Sequence, residues 1–414
     1  MTKLHGVNAR FLMLAILLIS FNLRPAIAAI GPLTELILGN TKLGSTGIGL
    51  LTTLPVFLMG LAALTVRLVR KALGEKLGIG LGALVIAGAC AGRMWFPTGL
   101  GLLLTAGGAG VGIAIVQALI PGFIKRNFTG NTGRAIGLYS TAIVAGAAVG
   151  SASAAMLADR FGWPSALAFW AIPALLAMGF WVVTSRGAAA EPRAEPGRGQ
   201  GSTSQVAFWR SPRSWSLLIF FGIGTGAFVI VVAWLPPFYV ELGQSPKVAG
   251  YLLGVLTVVE AFTALGVAVF IHHFPDRRGP LVMSLLLVLA GLACLLAYPI
   301  PLAIPAVILL GVGIGILFPL SIIVSIDHVS DPTLAGDLTA FTQGGGYMAG
   351  SIFPLVAGAL RDSFSSLSPG WLLMAVGIVG AIALALRYSP KSYLEFRTGF
   401  ILQPLQAAVP STAL

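Results

Sequence analysis

The chain has 414 residues, 57% of them hydrophobic and 9% charged, with a mean hydropathy of +0.94. Soluble domains carry roughly 25% charged residues, so the apolar surplus must face lipid and a soluble enzyme is excluded. The 25 Lys and Arg against 13 Asp and Glu give a formal charge of +12, and the placement of those bases accounts for it without a nucleic-acid partner.

A helix needs about 20 apolar residues to cross hydrocarbon, and only helices or closed barrels satisfy their backbone groups in lipid. Helix-length apolar segments fall at 9–31, 45–67, 77–95, 99–120, 134–157, 163–184, 214–239, 247–271, 280–298, 302–326, 335–359 and 370–388. The first is longer than the apolar region of a signal peptide and lacks a clear small-x-small cleavage site, so it reads as span 1. The ninth is short and is followed closely by Pro299, Pro301 and Pro305. The expected fold class is an all-α polytopic membrane protein of twelve transmembrane helices.

Between spans 6 and 7 the stretch 185–212 is polar and rich in Gly and Pro, the composition of a linker. It divides the chain into an N-terminal six-helix bundle at 1–184 and a C-terminal one at 213–390, with a tail at 391–414. Two halves of six are the architecture of many secondary transporters. A basic loop follows the second span of each half, Arg67-Leu-Val-Arg-Lys71 and Asp276-Arg-Arg278.

Loop bases set the orientation. With the N-terminus inside, 19 of the 25 Lys and Arg lie in cytoplasmic segments; Lys42, Arg93, Arg160, Lys247 and Arg361 lie on the other side, and Arg24 lies within a span. That bias predicts a multi-pass protein of the cytoplasmic (inner) membrane with the linker and both termini in the cytoplasm.

Arg24 is the sharpest functional signal. It sits in Asn22-Leu-Arg-Pro25, and an arginine at membrane depth costs at least about 2.5–3.5 kcal/mol unless it meets water, a partner or an anion. Pro25 has no N–H for the carbonyl of Phe21, which weakens the helix beside the charge. Arg24 is therefore a candidate for binding an anionic or dipolar substrate group in a central cavity, against the alternatives of snorkelling or of a permanent carboxylate partner.

Glu260 is the second intramembrane charge. Thr257, Glu260 and Thr263 recur every three residues and share one polar face of span 8. A carboxyl removed from water can exchange a proton across the working pH range, which makes Glu260 a proton-coupling candidate or a partner of Arg24 when substrate is absent, against the alternative of a neutral carboxyl hydrogen-bonded to a neighbouring helix. Further substrate-binding candidates are Asn22 beside Arg24, Gln117, Tyr139, Trp234, and Gln343 with Tyr347, the last two one helical turn apart. Ser321 and Ser325 on span 10 share the same spacing. His272, His273, Asp327 and His328 flank cytoplasmic loops and read as solvated, with a gating role as the alternative for Asp327 and His328 at the end of span 10.

Pairs of the form Gly-x-x-x-Gly, at Gly78/Gly82, Gly108/Gly112, Gly146/Gly150, Gly311/Gly315 and Gly346/Gly350, suit helices that approach closely. They lie inside apolar spans with no Gly-Lys-Ser/Thr after them, so they are not phosphate loops. Cys90 and Cys294 stand alone in apolar runs and read as small buried hydrophobes, with no metal-ligand spacing. Neither a catalytic constellation nor a nucleotide signature is present, so no cofactor is expected, the chain is not read as an enzyme, and uphill movement must draw on an ion gradient.

Twelve spans, a central linker and a basic loop between spans 2 and 3 resemble the major facilitator superfamily, and more narrowly its cyanate and nitroimidazole transporter family. The resemblance rests on Leu23-Arg-Pro-Ala-Ile27 with Gly31-Pro-Leu33, on Leu119-Ile-Pro-Gly-Phe-Ile-Lys-Arg126, on Trp234-Leu-Pro-Pro237 with Ala249-Gly250, and on Gly346-Tyr347, Pro354, Gly358 and Asp362. It implies two six-helix bundles closing alternately over a midplane site, with spans 1, 4, 7 and 10 lining the cavity and spans 2, 5, 8 and 11 gating it. Arg24 matches the family's arginine of span 1. The loop from Ala63 to Gly74 lacks the superfamily's aspartate, Ala28 and Ala29 replace expected hydroxyl side chains, and Glu260 is no part of the family pattern.

The expected function is alternating-access transport of a small anionic or dipolar, cyanate-like solute coupled to protons, by a monomer whose partners are that solute, a proton and membrane lipid. Proton-driven efflux of small drug-like molecules such as nitroheterocycles is the nearest alternative. A non-transporting receptor or a membrane enzyme is the alternative from another class.

Overall fold

The computed structural model describes residues 6–128, 132–187, 208–329 and 332–396. Their regular structure is helical: α1 (Gly6–Phe21), α2 (Pro25–Ala28), α3 (Thr34–Asn40), α4 (Ser45–Leu73), α5 (Glu75–Trp95), α6 (Gly99–Asn127), α7 (Thr132–Phe161), α8 (Trp163–Ala168), α9 (Ala171–Thr184), α10 (Pro212–Glu241), α11 (Pro246–Phe270), α12 (Arg278–Ala297), α13 (Ala303–Asp327), α14 (Pro332–Gly350), α15 (Ile352–Phe364), α16 (Ser368–Ala385) and α17 (Pro390–Phe396). Most of the stretch expected to be a linker, and the tail beyond 396, lie outside the described residues.

Among the described residues eleven helical segments are long and apolar enough to cross a membrane. The twelfth crossing of this fold is α14 with α15, a pair interrupted at Ser351 and made less apolar by Asp337, Gln343 and its glycines. Twelve crossings in two six-helix bundles are thus the fold.

Span 1 is not one helix. It runs as α1, a non-helical link at Asn22–Arg24, the single turn α2, a 3-10 turn at Gly31–Leu33, and α3. The cause is local: Pro25 supplies no amide to the preceding turn, and the amides of Asn22 and Leu23 turn back to Ile19 and Ser20 in tighter three-residue bonds.

The two halves meet along two antiparallel pairs, α4 against α14 and α15, and α7 against α11. Glycine sets the approach. A β-carbon at Gly60 would stand 2.5 Å from the Gly344 carbonyl, and one at Gly250 would stand 2.7 Å from the Ser151 carbonyl. These are spans 2 with 11 and 5 with 8, the pairs expected to gate. Within the halves, Gly82 and Gly112 join α5 to α6, and Gly311 and Gly315 seat α13 on α11.

Candidate functional site

The break in span 1 is held from four sides. A β-carbon at Gly146 of α7 would collide with the Phe21 carbonyl, and one at Gly150 would stand 2.9 Å from Pro25. Asn22 donates through Nδ2 to the carbonyls of Leu18 (2.8 Å) and Pro173 of α9 (3.3 Å). Arg93 of α5 donates through Nη1 to the Ala26 carbonyl at 2.8 Å. Gly31 lies against α10, where a β-carbon would stand 2.8 Å from the Val232 carbonyl.

So fixed, the break turns Arg24 toward the meeting of the two halves. Its guanidinium carbon lies 5.3 Å from the centre of the Phe228 ring on α10, within the range of a cation–π contact. The two residues line a small cavity with Ile27, Ala28, Val56, Ala147, Val229 and Val232. Its walls are otherwise apolar. An arginine there meets few competing dipoles, so its charge is weakly screened and available to an entering group.

Three more of the expected site residues stand within electrostatic range of Arg24: Tyr139 of α7, Tyr347 of α14 and Glu260 of α11. Gln117 of α6 lies beside the Tyr139 hydroxyl. Tyr347 packs edge-on against Phe221, with ring centres 5.2 Å apart. The Oε2 atom of Glu260 is buried without a hydrogen-bond partner among the described residues, and α13 closes over its backbone through Gly315. Its neighbours Thr257 and Thr263 bond carbonyls of their own helix, so Glu260 is the ionisable side chain of that face.

Asn22 supports the break rather than facing the cavity. Gln343 is half-buried one turn before Tyr347. Trp234, also on α10, lies six residues beyond Phe228, about 9 Å along the axis. It is fully buried, donates its indole N–H to the Pro354 carbonyl at 2.9 Å, and carries Arg361 over its ring. It thus belongs to the end of the molecule opposite Gly6 and Phe396.

That end carries three links between the halves. Arg361 of α15 pairs with Glu35 of α3 at 2.7 Å and reaches Glu241 of α10 at 3.6 Å. Asp362 accepts from the Ser45 and Thr46 amides at 2.9 and 2.8 Å and from the Thr46 hydroxyl at 2.7 Å, so a carboxylate of one half caps the first turn of α4 in the other. Lys247 of α11 pairs with Asp159 of α7 at 2.9 Å.

Beyond Asn22 and Trp234, three further points differ from the sequence reading. The cavity takes walls from spans 1 and 7, as expected, but also from spans 2 and 5 rather than 4 and 10. Gly110 of α6 lies against Pro55, so α4 stands between α6 and the cavity at this depth. Arg93, counted among the outer loop bases, is 1% exposed; it falls on the stripe Ile79, Gly82, Ile86, Arg93 that α5 turns inward, a helical period that could have flagged it. His328, read as solvated, is fully buried: it accepts from Arg213 Nε at 3.0 Å, and the Tyr393 ring of α17 covers it, with ring centres 4.3 Å apart.

Comparison with known proteins fits this geometry. The Major Facilitator Superfamily model matches residues 11–354 and 241–400. The cyanate transport protein CynX of Escherichia coli (strain K12) is 32% identical over 92% of this chain and 97% of its own. The 2-nitroimidazole transporter of the same organism is 31% identical over 91% of this chain and 94% of its own. Among solved structures, a bacterial homolog of the human lysosomal transporter Spinster, inward-facing and unoccupied, superposes with a TM-score of 0.71 at 15% identity, covering 96% of this chain and 98% of that one.

Proposed function

Because the chain belongs to the major facilitator superfamily, within its cyanate and nitroimidazole transporters, and is therefore a multi-pass membrane transporter rather than an enzyme, we propose that it moves a small, singly charged anion or a compact dipolar solute past Arg24 by alternating access. The observation that carries this is the Arg24 guanidinium, held by a broken helix over Phe228 in an otherwise apolar cavity. One weakly screened positive charge between apolar walls favours a solute that is cheap to strip of water. It disfavours a multiply charged or strongly hydrated anion, whose lost hydration a single guanidinium cannot replace.

Glu260 is the proton carrier in this scheme. It lies on the half opposite Arg24, within its electrostatic range, with one oxygen unpartnered. A proton on Glu260 leaves Arg24 free for the solute, whereas an ionised Glu260 competes for it, so solute and proton favour each other's binding. The protein acts as a monomer in the inner membrane, with both termini in the cytoplasm as the loop bases indicate.

Export of small nitroheterocycles is the second reading, favoured by the aromatic rings of Phe221, Phe228 and Tyr347 around the site and by the 31% identity to a 2-nitroimidazole transporter. Flux into proteoliposomes, measured for cyanate, thiocyanate, nitrite, sulfate and 2-nitroimidazole with and without a pH gradient, separates the two. Uptake of the monovalent anions, raised by an acid exterior and absent for sulfate, is the expected result. Movement of 2-nitroimidazole alone favours export, and equal movement of sulfate overturns the anion reading.

A further inference from the structure

Ala26 sits two residues past Arg24 in the single turn α2, and the hydrogen bonding of its carbonyl is unusual for a helix. The amide that would serve it, that of Ile30, bonds Ile27 instead at 3.1 Å. The vacant acceptor takes the Nη1 of Arg93 at 2.8 Å. Arg93 comes from a different span, is fully buried, and its Nε has no hydrogen-bond partner among the described residues.

A single helical turn does not persist by its own hydrogen bonds, because nucleation costs more than one turn returns. Something outside α2 must fix it. Gly146 and Gly150 limit how far the break can move toward α7, and Asn22 anchors the link before it. The Arg93 contact is directional and falls on α2 itself. That turn carries Arg24 at its start and presents Ile27 and Ala28 to the cavity. A buried guanidinium is a costly way to satisfy one carbonyl, and an uncharged residue in a repacked helix would do it more cheaply. The position therefore makes sense as a constraint on α2.

We propose that Arg93 is a positioning residue for recognition: by capping the Ala26 carbonyl it fixes α2 so that Arg24 faces the cavity. This rests on the reading of Arg24 as the solute-facing charge. It assigns Arg93 no contact with the solute. Loss of Arg93 lets α2 rotate or unwind, and Arg24 then leaves the cavity although it is still present in the chain.

The test needs no knowledge of the solute. In a chain carrying Cys90→Ala and Cys294→Ala, the cavity position Ala28→Cys is alkylated by an anionic sulfonate thiol reagent and by a neutral one of similar size. With Arg24 facing the cavity, the anionic reagent has an advantage of about tenfold, set by local charge. Arg93→Met is expected to reduce that advantage to less than about twofold, with folded yield checked by size exclusion, and Arg93→Lys to restore most of it. An advantage that survives Arg93→Met overturns the proposal. Should the Met variant fail to fold, Arg93→Gln takes its place: an advantage reduced relative to the parent supports the role, and an undiminished one contradicts it. Arg24→Gln, run in parallel, keeps the two claims apart. If it abolishes the advantage while Arg93→Met does not, the inference fails and the recognition reading stands; if Arg24→Gln leaves the advantage intact, the recognition reading itself fails.

Discussion

Asp362 caps a helix that belongs to the other half of the molecule: its carboxylate takes the amide of Thr46 at 2.8 Å and the hydroxyl of Thr46 at 2.7 Å. The two residues come from spans 11 and 2, so the cap exists only while that end is closed. Capping contributes about 0.5–2 kcal/mol in general, enough to shift an open–closed equilibrium several-fold. Asp362→Ala is expected to speed alkylation of Val56→Cys, a cavity position, by about 2–30-fold with a reagent confined to the Asp362 side. An unchanged rate means that the cap does not hold the gate.

Arg361 bridges Glu35 of one half and Glu241 of the other over the Trp234 ring. Arg361 is 10% exposed but both carboxylates reach solvent, and pairs screened on one side contribute little, on the order of 0.2–1 kcal/mol. Arg361→Gln is expected to add a small further increase to gate opening, and Glu35→Gln to add little once Arg361 is gone. A double-mutant cycle on the alkylation rate reads this directly. Full additivity would show that the pair does not couple the halves.

Gly146 and Gly150 hold α7 against the broken link of span 1. Alanine at either position is expected to lower both the melting temperature and uptake, because its β-carbon meets the Phe21 carbonyl or Pro25. Gly137, on the same helix with nothing within 4 Å of a β-carbon, is the control. Alanine there is expected to be neutral or stabilising by up to about 1 kcal/mol. Equal tolerance at all three positions would remove the argument that these glycines place Arg24.

Glu260→Gln is expected to abolish stimulation of uptake by a pH gradient while leaving exchange of solute across the membrane intact, since glutamine keeps the shape and loses the proton. Retained stimulation would place proton coupling elsewhere.

The crossings were legible because hydropathy and length are properties of contiguous sequence. Arg24 and Glu260 stood out for the same reason, as charges inside apolar runs. Span 11 was legible by its glycines and length but falls below a pure hydropathy criterion. The contacts that join the halves were not legible: Arg361 and Asp362 lie more than 300 residues from Glu35, Ser45 and Thr46, and no local pattern links them. Trp234 looked like a ligand because it is aromatic at membrane depth, yet its height along α10 puts it under Arg361 instead. Arg93 lay near a span end, where a base normally reaches water, and only its register with Ile79 and Ile86 marked it as turned inward.

Uptake kinetics of Arg24→Gln and Arg24→Lys, measured with cyanate in proteoliposomes at equal amounts of folded protein, bear most directly on the central claim. A charge-assisted contact contributes about 1.5–3 kcal/mol. The half-saturating concentration of the Gln variant is therefore expected to rise at least about tenfold, with the Lys variant between it and the parent. Parental affinity and turnover in the Gln variant would contradict the account.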